Sequence, residues 1–110
     1  MIIQSSQALT ALQTIDDVLV NNILASNFRR RLAVNYSLVG SATGLSCDVK
    51  VGLNYVAVNI LPSLQNRFPV YPDDFLGTFG VVPGDRILLT TRETSNNART
   101  LFFAFRFRPI

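Results

Sequence analysis

From Leu101 to Arg108 the chain reads Leu-Phe-Phe-Ala-Phe-Arg-Phe-Arg. In an extended strand successive side chains point to opposite sides. Leu101, Phe103, Phe105 and Phe107 therefore share one side, and Phe102, Ala104, Arg106 and Arg108 share the other. Period-two alternation of this aromatic weight specifies a strand lying on a core. The second side joins apolar bulk to fixed positive charge, and a face of that kind is expected to be covered.

The same alternation recurs upstream. Leu32, Val34, Tyr36 and Leu38 alternate with small or polar residues, and after Gly40-Ser41-Ala42-Thr43-Gly44 the pattern resumes at Leu45, Cys47, Val49, Val51 and Leu53. Pairing Leu38 with Cys47, Tyr36 with Val49 and Val34 with Val51 puts every apolar member on one face, so a Gly-bounded hairpin in this register is expected. The apolar phase then shifts to Val56, Val58 and Ile60, which places a bulge or a sheet-changing corner at 52–54. Residues 86–108 read as a second hairpin. Ile87 would face Phe105, Leu89 would face Phe103, and the loop would close at Ser95-Asn96-Asn97, where asparagine tolerates the left-handed conformation. That register sets Arg86 opposite Arg106, an unfavourable like-charge pair unless a carboxylate such as Asp48, Asp85 or Glu93 neutralises it.

Between the two units lie four of the five prolines, Pro62, Pro69, Pro72 and Pro83. This density forbids long regular elements. Pro72 to Leu76 could open a short helix ended by Gly77 and Gly80, and Pro83-Gly84-Asp85 is a turn. Residues 1–31 admit two readings. Leu9, Leu12, Ile15, Leu19 and Ile23 recur at helical spacing, with Thr14 and Asp17 resembling a capping box. Val18-Leu19-Val20 followed by Asn21-Asn22 fits a short strand and turn, and an extended arm with a strand is preferred. The expected fold is mainly β: one domain over 1–110, with an arm or peripheral segment at 1–31 and a β core at 32–110. That core is an antiparallel sandwich or jelly-roll-like barrel with at most one or two short helices.

Composition narrows the function. Charged residues are 15% of the chain and hydrophobic ones 48%, against roughly 25% charged in ordinary soluble domains. A chain of 110 residues hides only about two-thirds of its unfolded surface, so some apolar area is expected to stay exposed, either as an interface or as ordinary scattered surface Leu and Val over a well-filled core. No run approaches the roughly 20 apolar residues of a membrane span, and Met1 to Thr14 lacks the basic start of a secretory signal. Cys47 is the only cysteine; it reads as a small hydrophobe in an apolar strand. Histidine is absent, which removes His-based triads, general bases and metal ligands. The adjacent pairs Asp16-Asp17 and Asp73-Asp74 diverge on any regular backbone and make no dyad. The chain is therefore read as non-enzymatic, with no catalytic residue, metal or cofactor.

Every basic residue except Lys50 is an arginine and the net charge is +3. Arginine suits interfaces, since its planar fork is weakly hydrated and bonds in pairs. Two groups are candidates for partner contact. Arg29, Arg30 and Arg31 form a basic run whose plainer reading is a solvated strand opening or helix end; three arginines are few for a nucleic-acid patch and +3 is modest for a dedicated binder, so nucleic acid ranks behind protein as a partner. Phe102, Arg106, Arg108, Arg86 and Leu88 are assembled on one face by the second hairpin's register; the same face reads equally as the second inner face of a sandwich with its arginines reaching the rim.

The order from Arg31 onward resembles small β-sandwich accessory proteins of tailed-phage virions. It shares Gly/Asn/Ser/Thr-rich turns, a late Val82-Pro-Gly-Asp-Arg-Ile-Leu-Leu89 strand opening and a strong closing strand. The resemblance implies a capsid cement or decoration protein, or a minor tail or neck component, that forms symmetric oligomers. Its partners would be copies of itself and other structural proteins such as a major capsid protein, and its location the virion (the cytoplasm for a cellular protein). A narrower stretch is similar to the AbrB-type swapped-hairpin family: Pro72, Phe75, Phe79-Gly80-Val81 and Gly84-Asp85, then Ile87 and Leu89. It implies a dimeric DNA-binding regulator as the alternative, although Leu76 stands where that family has an arginine.

Overall fold

The computed structural model describes residues 2–20, 28–64, 67–69 and 75–109. They form strands β1 (Ile2–Leu9), β2 (Thr14–Ile15), β3 (Leu32–Gly40), β4 (Leu45–Val51), β5 (Asn54–Ile60), β6 (Ser63–Leu64), β7 (Gly77–Val81), β8 (Ile87–Glu93) and β9 (Arg99–Pro109), with no helix among the described residues. Two sheets pack face to face. The first runs β1-β9-β3, with β7 and β6 sharing the far edge of β3; the second runs β2-β8-β4-β5. The mainly β, sandwich-like fold expected from the alternation is what the chain adopts.

The closing strand alternates as its sequence requires. Leu101, Phe103, Phe105 and Phe107 are buried; on the other side Ala104 is buried too, Phe102 and Arg106 are half-buried and Arg108 is exposed. β9 is a central strand between β1 and β3 rather than half of a two-stranded ribbon. Opposite it on β3, Val34 pairs with Phe107, Tyr36 with Phe105 and Leu38 with Phe103. These side chains meet Cys47, Val49, Ile87 and Leu89 from the second sheet to make the core. Phe105 is the largest of those wholly withdrawn from solvent; burying such a side chain contributes about 1.5–3 kcal/mol.

Neither expected hairpin exists. β3 and β4 lie in different sheets, as do β8 and β9. Each loop is an arch that carries the chain across the core. The reason is geometric: a hairpin and an arch both place alternate residues of two strands on one core, so a matched apolar pattern satisfies either. In the arch Leu38 and Cys47 face each other through the core, about 10 Å apart from sheet to sheet, instead of side by side. The real neighbours are β3 with β9 and β4 with β8. β3–β4 and β9–β8 thus form one antiparallel ribbon folded over, with β1–β2 running along its other side.

The remaining local readings divide. Pro83-Gly84 is a turn, closed by Asp85 N donating to Val82 O at 3.1 Å, with Gly84 at φ +95. Asn96 takes the left-handed conformation at φ +62. Residues 52–54 hold no bulge or sheet change: Gly52, at φ +59, and Leu53 make the two-residue turn of a β4–β5 hairpin. The irregularities come later, where β5 carries an extra residue twice against β4, between the Val51–Asn54 and Cys47–Ile60 pairs. They absorb the phase shift, returning Ala57 and Ile60 to the side of Val49 and Cys47. Val18–Val20 form a turn rather than a strand, and Gly77 and Gly80 lie inside β7 rather than ending a helix. Phe75 and Leu76 are not helical, and the rest of that expected helix, 72–74, lies outside the described residues, as does Ile23.

Candidate partner-contact surfaces

The arches gather at one end of the sandwich around Glu93. Its N–H donates to Gln13 O at 2.8 Å. Its carboxylate accepts from Leu12 N (3.3 Å), Ser95 N (3.0 Å), Ser95 Oγ (2.5 Å) and Asn97 N (3.1 Å). Thr94 N donates to Gly44 O at 2.7 Å. The β1–β2, β3–β4 and β8–β9 crossings are therefore tied to one residue and its neighbour. Burial works to raise the Glu93 pKa, but the bonds from Ser95, Asn97 and Leu12 together outweigh it and hold the carboxyl at about 2. Gly44, at φ +110, leaves no room for a side chain: a Cβ would collide with Ser95 and lie 2.7 Å from Glu93 Oε2.

The outer face of the second sheet satisfies its own charges. Arg92 grips Asp48 with both ends of its fork (2.9 and 3.0 Å) and donates to Ser46 and Asn59. The Arg92 bond is the main cause holding the Asp48 carboxyl below its usual range. Arg86 pairs with Asp17. Cys47 is buried and donates to Thr91 Oγ1 at 3.3 Å; burial pushes its thiol up to about 11, so it packs as the small hydrophobe expected. Among the described residues no three of His, Cys, Asp and Glu gather as metal ligands, and no helix is long and apolar enough to cross a membrane.

The face assembled by the hairpin register comes apart. Arg86 precedes β8 and Leu88 lies on it, in the second sheet, whereas Phe102, Arg106 and Arg108 belong to β9 in the first. Arg106 stands opposite Ile2 and Asn35, not Arg86. The carboxylate on Arg86 is Asp17, none of the three candidates named above. Phe102 is covered from within the chain, since the ring of Phe68 packs edge-on against it at 5.0 Å.

The structure joins residues the sequence kept separate. Phe28 is buried with its ring 5.7 Å from that of Phe107, and Leu32 pairs with Pro109. The run Arg29-Arg30-Arg31 between them, exposed throughout, is bracketed by two contacts to the end of β9, beside Arg108 opposite Ala33. Arg106 lies two residues further in on the same strand.

A second surface was missed by the sequence reading. β5 is the edge of its sheet and has neither charge nor proline. Tyr55, Val56 and Val58 are exposed along it, and Leu53, in the turn before it, is 91% exposed. Beyond it Leu61 is 77% exposed, and Leu61, Pro62 and Leu64 wall a hollow of about 170 Å³ against the β3–β4 arch. Lys50, 5.4 Å from the Tyr55 ring centroid, borders the side. The signal was present in the phase shift: an apolar series that changes phase within one strand leaves some members outside.

Comparison with protein-family models, with curated proteins and with solved structures finds no match.

Proposed function

We propose that the chain is a non-enzymatic structural protein that assembles through protein–protein contacts, most simply as a small virion component of the capsid cement, decoration or minor structural kind. One observation carries this reading: the β5 edge, a strand with no charged residue of its own, with Leu53, Tyr55, Val56, Val58, Leu61 and Leu64 exposed on or beside it. Monomeric proteins guard an edge strand with lysine, proline or a bulge. β5 keeps only its irregular backbone, and exposed apolar side chains of this number mark an interface. The sparse charge of the chain supports the same reading, as does an arginine-for-lysine bias that suits interfaces.

The partners are copies of the chain and other structural proteins of the particle. Sedimentation velocity at micromolar concentration tests self-association, with Val58→Asp as the disrupting variant. An oligomer that Val58→Asp dissociates, or stoichiometric recovery of the wild-type chain with purified particles, is the expected result. A monomer at all concentrations that co-purifies with no particle overturns the reading.

A further inference from the structure

We infer that the end of the first sheet formed by Arg29, Arg30, Arg31 and Arg108 binds the phosphate backbone of duplex nucleic acid without reading its sequence. The four side chains are exposed, and the backbone that carries them is anchored at two places. The Phe28–Phe107 ring contact and the Leu32–Pro109 pairing hold the arginine run against the last turn-free stretch of β9. The strands of this sheet contribute arginines but no carboxylate. Asp17 and Asp48 are engaged by Arg86 and Arg92, Glu93 by the arches, and Asp85, in the turn that leaves β7 at this end, by the Val82 N–H at 3.0 Å. The arches lie at the Arg99 end of β9, roughly 30 Å along the strand from Arg108 at about 3.3 Å per residue.

The chemistry favours a polyanion over an acidic protein. A protein interface needs an apolar core within its polar rim. The register neighbours here are Leu32 and Ala33, both half-buried, and Pro109; the exposed apolar residues at this end, Ile2 opposite Arg106 and Val82 after Val81, stand singly on its two sides, whereas six are exposed on the β5 side. Guanidinium forks match phosphate oxygens in pairs. Backbone contacts of this kind position a protein on a duplex and carry no sequence information. Single strands are held by stacking on exposed aromatic rings, and the aromatic residues at this end, Phe28 and Phe107, are buried in the core.

Fluorescence anisotropy with a labelled 24-base-pair duplex, titrated at several salt concentrations, tests this. The log of the affinity is expected to fall with log salt at a slope of about −3.6 if each arginine meets one phosphate, at about −0.9 per phosphate. Two duplexes of unrelated sequence should bind alike. Arg108→Gln alone should weaken binding and make the slope shallower by about 1. Replacing all four arginines by glutamine should remove binding, and Arg99→Gln, at the far end, should leave it unchanged. Arg108→Gln changes one exposed side chain and decides the matter even if the fourfold variant does not fold. Absence of duplex binding at low salt overturns the proposal. So does a slope unmoved by Arg108→Gln, or tighter binding to polyglutamate or to the single strand than to the duplex. Val58→Asp should leave duplex affinity intact, so this end and the β5 side fail or stand separately.

Discussion

Glu93 is 3% exposed yet ionised. Its carboxyl ordinarily titrates at 4.5 and here at about 2, so the folded state favours the charged form. A carboxylate with a depressed pKa contributes stability that is fully present above its unfolded value and is lost as the pH falls toward the folded one. The thermal midpoint is therefore expected to drop as the pH is lowered from 4.5 toward 2, and circular dichroism melts across that range measure it. Glu93→Gln should melt lower than the wild type at neutral pH, because the amide replaces an acceptor oxygen with donors that repel Leu12 N–H, Asn97 N–H or Ser95 N–H. The variant should also flatten the acid dependence relative to the wild type. Asp48 titrates in both proteins, so the difference between the two curves isolates Glu93. An identical acid slope in the two would show that this carboxylate does not tie the arches.

At the level of the strand, alternation was a sound guide and adjacency was not. The Leu101–Phe107 series located β9 and its buried side, and the series in β3, β4 and β8 did the same for theirs. What alternation cannot encode is whether the next strand turns beside its predecessor or crosses the core, since both solutions bury the same residues. The Gly40–Gly44 and Ser95–Asn97 loops therefore read as hairpins and proved to be arches, and the candidate face built on that register divided between two sheets. The basic end was half legible: both arginine groups stood out, but the Phe28–Phe107 contact that unites them is long-range. In β5 the irregular backbone centres on Asn59, which sits at φ +54 and donates its N–H to Asp48 at 2.8 Å. Glycine keeps this conformation and, like valine, gives up only the exposed bonds that Arg92 and Ser46 donate to the Asn59 side chain. Valine, β-branched and strained at positive φ, should destabilise by about 1–3 kcal/mol. Urea unfolding of Asn59→Gly and Asn59→Val measures the contrast, and equal stability of the two would mean that the left-handed backbone at this position is not required.

Across the whole molecule the defining contact joins the two ends of the described chain. β1 pairs along its length with β9, from Ile2 opposite Arg106 to Leu9 opposite Arg99. Pairings of such sequence separation make folding slow, since a long loop must close before any of its contacts form. The same pairing decides how the fold answers a mechanical load. Ile2 and Pro109 emerge at the same end of an antiparallel pair whose bonds run across the strands. Optical tweezers pulling on those two residues would open the ladder like a zipper, one rung at a time and at low force. Handles at Thr10 and Pro109 would load the same rungs together in shear, and the rupture force should be clearly higher.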